Sequence, residues 1–160
     1  VDKLGDERIN DDKLIEAATL ALCWSRAWSS GGGHGTVFAV KPAQVSKTAQ
    51  TGEYVGKGAF IVRGQRQWFR DLDVKIGIGI VAINGVPLLM SGTPDLILSI
   101  CSRYAILSSG ITKKDRLANR IYKNTGISTD EILAVLPGPC DIMEERGIFT
   151  PFVQESSEEE

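Results

Sequence analysis

Seven polar or cationic residues lie close together in a chain of 160 residues: Lys41, Ser46, Lys47, Thr48, Lys57, Arg63 and Arg66. Lysine and arginine carry full positive charge, and serine and threonine hydroxyls donate to oxygen acceptors. Together they suit the phosphate and ribose oxygens of a nucleic acid. Such groups grip a backbone and carry little base information. Widening the window to 36–70 gives six Lys or Arg against one acid, Glu53. The whole chain is formally −2 at pH 7, so the positive charge is local. A basic stripe on a mildly acidic protein reads as the footprint of a polyanion. Trp68 and Phe69 sit between Arg66 and Arg70. Aromatic faces interleaved with guanidinium groups suit single-stranded bases, which stack rather than pair. Neighbours on a strand point to opposite faces, so at most one of the two aromatics is exposed on a given side.

Other chemistries find little support. The single histidine, His34, has no acidic or nucleophilic neighbour in sequence. There is no G-x-S-x-G, and Ser46 is followed directly by Lys47 rather than by a lysine three positions on, so catalysis is not expected. Cys23, Cys101 and Cys140 are odd in number and far apart, which argues for buried free thiols in a reducing compartment and against a disulfide framework or a metal centre. Ser29–Gly35 holds three consecutive glycines, but no Gly-Lys-Ser/Thr follows, so it is not a phosphate loop. Gly77, Gly79 and Ala82 fit a dinucleotide fingerprint, yet Asn84-Gly85 follows where that motif needs a helix. No cofactor is implied. No apolar run reaches the roughly 18 residues that span a bilayer, and the charged start does not read as a signal peptide. A cytoplasmic location is expected.

The elements that must position these residues follow from patterning. A helix is predicted over 12–28, capped by Asn10 or Asp11, with Leu14, Ala18, Ala21, Leu22, Ser25 and Trp28 on one face. Trp24 and Trp28, one turn apart, suit either packing or base stacking. A strand over 36–40 leads to a long loop over 43–57, whose Gln44, Ser46, Thr48, Gln50 and Thr51 can donate to phosphate or ribose. Strands at 58–63 and 66–70 flank a turn at Gly64-Gln65. Val74, Ile76, Ile78 and Ile80 alternate with smaller or polar residues ahead of Asn84-Gly85, which marks a two-residue hairpin turn closing onto 86–90. Thr93-Pro94 opens a helix burying Leu96, Ile97, Ile100 and Cys101. A strand over 104–107 comes next. Thr112 then caps a helix over 113–123 with Leu117, Ala118, Ile121 and Tyr122 inward. Its outer Lys113, Lys114, Arg116, Arg120 and Lys123 form a second basic surface, an RNA contact or a solvated face. Ser128 and Glu131 open a last helix as a capping box, and 141–145 is a final strand. The expected fold class is α+β: a mixed or antiparallel sheet covered by three or four helices. Residues 1–11 are expected to be disordered, 12–147 to form the domain, and 148–160 to be a disordered acidic tail able to compete with RNA.

The stretch QVSKTA-TGEY followed by KGAFIVRG and an aromatic resembles the RNA-binding domain of the NFACT family, the fibronectin-binding-like ribosome quality-control factors. EAATLALCWSRAW resembles the preceding helix, and VKIGIGIVAING through EILAVLPGPCDI the carboxy-terminal extension of archaeal members. The resemblance covers roughly 12–147. The family's histidine-bearing D-I-x-x-H-A-x-x-H-G segment is absent, so the chain is expected to be a fragment or a split version. The resemblance implies RNA as partner, tRNA and the large ribosomal subunit, and no membrane. A different reading is a protein–protein module. A domain lacking neighbouring strands has an open sheet edge, through which it could form a homodimer.

Overall fold

The computed structural model describes residues 10–48, 50, 52 and 54–154. The expectations for 1–9, Thr51 and the tail at 155–160 therefore lie outside the described residues. Among those described, four α-helices and eight strands form an α+β fold in which every strand pairing is antiparallel.

Helix α1 (Asp11–Cys23) begins where Asn10 Oδ1 accepts the Lys13 N–H at 2.9 Å. It stops five residues before the predicted end at Trp28. The hydroxyls of Ser25, Ser29 and Ser30 each donate to a carbonyl three residues back, offering the backbone a turn in place of a helix. Trp28 therefore leaves the helix line and enters the core, while Trp24 and Ala21 are exposed.

The main sheet runs β6 (Val86–Gly92), β5 (Lys75–Ile83), β7 (Tyr104–Thr112), β8 (Cys140–Arg146). The β5–β6 hairpin turns at Asn84 and Gly85, both with positive φ, and closes with Ile83 opposite Val86. On one face of β5, Ile76 and Ile78, with Val74 just before the strand, are buried in one cluster with Leu22, Trp28, Leu117 and Ile121. Those partners come from α1, the turn after it, and α3 (Lys114–Thr125), with Ile132 of α4 (Thr129–Ala134) beside them. On the other face, Gly77 and Gly79 admit α2 (Pro94–Ile100). A Cβ on Gly77 would stand 2.7 Å from Ile97 Cγ1. The glycines of the apparent dinucleotide motif thus seat a helix against a strand.

Strand β7 continues past the predicted end at Leu107, because β8 supplies partners as far as Thr112 opposite Cys140, across a register shift. Thr112 is consequently a strand residue, and Lys113 occupies the α3 N-cap without a side-chain bond. Two further expectations are corrected. Tyr122 and Ile100 lie about half exposed at 51% each, because only one narrow side of α3 and α2 meets the sheet. Ile148 is fully buried rather than part of a tail, and Asn124 Nδ2 donates to the carbonyls of Gly147, Ile148 and Thr150.

Candidate nucleic-acid interface

A separate two-stranded ribbon stands beside the main sheet. Strand β1 (His34–Ala39) pairs with β4 (Gln67–Asp73), Phe38 opposite Trp68 and Val37 opposite Phe69. Gly35 lets α1 approach closely, since a Cβ there would meet the Leu22 side chain at 2.5 Å. Val37 and Leu72 pack on the core with α1. Phe69, opposite Val37, also faces inward, so alternation turns Phe38 and Trp68 to the other face, where they are 38% and 46% exposed. A bulge at Asp71 (φ 55°) returns Leu72 to the inner side.

The segment joining β1 to β4 carries all seven residues of the sequence-predicted site. A 3-10 turn at Pro42–Gln44 leads into β2 (Val45–Ser46), which pairs with β3 (Ile61–Val62) through Val45↔Val62 and Ser46↔Ile61. Gln44 ties this base together. Its Oε1 accepts the Lys41 N–H at 2.8 Å, and its Nε2 donates to Arg63 O at 2.9 Å and Gln65 O at 2.6 Å. Its carbonyl accepts the Arg63 N–H at 2.9 Å. Gln44 was expected to donate to phosphate, but its amide is consumed inside the protein. A side-chain amide reaching a backbone carbonyl 19 residues along the chain is a tertiary event that composition does not announce.

Lys41, Ser46 and Arg63 are thus held within one small framework. Thr48 joins it through its N–H, which donates to Ser46 Oγ at 3.0 Å. Lys47 Nζ sits 5.0 Å from the ring centroid of exposed Phe60. Arg66 reaches back across the ribbon to Phe38, its guanidinium 4.7 Å from the ring centroid. Lys57 lies on a turn closed by the Ala59 N–H on Gly56 O at 3.0 Å, and no described contact ties its side chain to the other six. Among the described residues, no carboxylate lies within 4.0 Å of Lys41, Lys47, Lys57 or Arg66.

Phe38 and Phe60 were not singled out from sequence. For Phe38 the signal was present: it alternates with Val37 and Ala39 in a strand whose neighbours point inward. Of Trp68 and Phe69, one is exposed and the other half-buried, as alternation requires. The second basic surface is partly occupied, since Arg120 lies 5.0 Å over the Phe149 ring.

The groups that serve catalysis elsewhere are engaged or buried here. His34 Nδ1 is 3.0 Å from Asp73 Oδ1 on the ribbon's far end. The Cys23 thiol donates to Lys75 O, and burial pushes it up to about 11. Burial likewise pushes Cys140 up to about 12, with its thiol on Gly138 O. Among the described residues, no cluster of three metal-ligating side chains occurs and no helix is long and apolar enough to cross a membrane.

A family model described as the NFACT protein RNA binding domain matches residues 2–64. The chain is similar to the archaeal Rqc2 homolog aRqcH of Methanocaldococcus jannaschii, 32% identical over 145 residues, covering 88% of this chain and 22% of that protein. It is also similar to the ribosome quality control complex subunit NEMF of Homo sapiens, 44% identical over 62 residues, 39% of this chain and 6% of that protein. The NEMF homolog of Drosophila melanogaster is 33% identical over 75 residues, 47% of this chain and 8% of that protein. The chain therefore spans a small part of each of these relatives. No solved structure matches it.

Proposed function

The chain belongs to the NFACT family, and on that premise we propose that it is an RNA-binding module of a ribosome quality-control factor. It takes tRNA or large-subunit RNA by the phosphate backbone. Lys41, Lys47, Lys57, Arg63 and Arg66 supply charge, and the Ser46 and Thr48 hydroxyls donate to phosphate or ribose. The observation that carries this reading is the stretch 36–70, with six cations and one acid. Five of those cations, Lys41, Lys47, Lys57, Arg66 and Arg70, have no described carboxylate beside them. An uncompensated cluster on a chain of net charge −2 is a place where condensed counterions can be traded for a polyanion. The matching family description and the names of the relatives support RNA and the ribosome as its setting.

The test is a titration of bulk tRNA at several salt concentrations. If about four charges engage, log K falls against log salt with a slope near −3 for single strands. Lys47→Gln and Arg66→Gln each flatten that slope by about 0.7 to 0.9. A slope near zero in the unmodified chain removes the proposal.

A further inference from the structure

The exposed face of the β1–β4 ribbon has features that phosphate binding does not need. Phe38 and Trp68 are direct cross-strand partners, with ring centroids 5.4 Å apart and planes at 64°. A cation lies over each ring: Arg66 stands 4.7 Å from the Phe38 centroid, and Arg70 stands 5.1 Å from that of Trp68. Neither arginine has a described carboxylate within 4.0 Å. A protein covering this face would have to bring a carboxylate for each guanidinium, because burying the charge unpaired is costly. Unpaired nucleotides suit it, since each brings a flat base for the ring and an anionic phosphate for the arginine.

We propose that Phe38 and Trp68 are a stacking platform for unpaired bases of RNA, with Arg66 and Arg70 as exchangeable covers. The edge-on arrangement of the two rings leaves no parallel slot between them, so a base stacks on an outer ring face. In doing so it displaces the guanidinium from the ring. An exposed cation–π contact is weaker than base–aromatic stacking, so the exchange runs in the favourable direction. The released arginine then meets the phosphate of the same nucleotide. The site selects single strands over duplex, whose bases are already stacked and paired. This rests on the RNA-binding reading and adds its substrate class. Trp68 and Arg70 also lie beyond the residues matched by the family model.

The test compares a single-stranded RNA 12-mer with the same sequence in duplex, for the 160-residue chain and for Phe38→Leu and Trp68→Leu. Each leucine variant is expected to lose about tenfold in single-strand affinity while the salt slope and duplex affinity stay unchanged. Single-strand affinity unchanged in both variants overturns the platform and leaves phosphate binding intact. A salt slope near zero in the unmodified chain overturns both. If a leucine variant fails to fold, 2-aminopurine in the 12-mer decides on the unmodified chain. Its fluorescence is quenched on binding if a base stacks on protein, and unquenched binding overturns the proposal.

Discussion

Single residues carry two predictions that do not depend on RNA. Desolvation disfavours the thiolates of Cys23 and Cys140, and their pKa values of about 11 and about 12 leave almost no thiolate at neutral pH. A neutral-pH thiol reagent is therefore expected to label these two only after denaturant is added, at a rate set by unfolding. Prompt labelling of the folded chain at either position would contradict the packing. Glu145 behaves differently. Burial alone would raise its carboxyl, but the Thr150 hydroxyl at 2.6 Å and the Phe149 and Ile148 amides at 3.1 and 3.2 Å outweigh that and hold it below the ordinary range. A depressed carboxylate contributes stability above its unfolded pKa and loses it as pH falls through the folded one. Glu145→Gln is expected to cost about 1 kcal/mol at pH 7 once solvent screening is allowed for. It should also reduce the loss of Tm on acidification below the ordinary carboxylate range. An identical pH profile in the variant would show that these bonds are replaced by water.

At the scale of elements, legibility followed the range of the forces involved. Asn84-Gly85 named its hairpin because positive φ is a local requirement, met by Asn84 at 51° and Gly85 at 77°. Thr93 and Pro94 named the start of α2 for the same reason, with the Thr93 hydroxyl accepting the Leu96 N–H. The end of α1 was missed because apolar spacing continues to Trp28 while serine side chains quietly compete for carbonyls. Ser108-Ser109-Gly110 reads as a turn, yet stays in β7 because β8 lies alongside. The cations of the candidate interface were visible as composition. The pairing of Phe38 with Trp68 was not, because cross-strand register is fixed by tertiary packing. Two element-level outcomes follow. Gly77→Ala forces a methyl against Ile97 and is expected to destabilise by about 1–3 kcal/mol, read as a fall in urea midpoint at constant m-value. Gln44→Ala removes three hydrogen bonds at the base of the loop and is expected to raise amide exchange across 41–48 and 61–65 while leaving β5 and β7 protected. Uniform loss of protection would mean the loop base is integral to the core.

Across the whole molecule, the sheet ends in β6 and β8, whose outer edges have no described partner strand. Both carry features that discourage addition of a further strand. Pro87 interrupts β6, and β8 bears Asp141, Glu144, Glu145 and Arg146. Light scattering is therefore expected to give the mass of one chain across concentration, and a dimer mass would show that an edge pairs despite these groups. One long-range tie also orders events in time. The Trp28 indole N–H donates at 2.8 Å to Pro139 O, 111 positions along the chain, and the Ser109 hydroxyl donates to Trp28 O. The basic loop and the aromatic ribbon both precede Pro139 in the chain, so a ribosome delivers them before it. Trp28, which locks α1 behind that ribbon, finds its partner only once Pro139 has emerged. The proposed nucleic-acid face is therefore synthesised before the contact that makes it rigid.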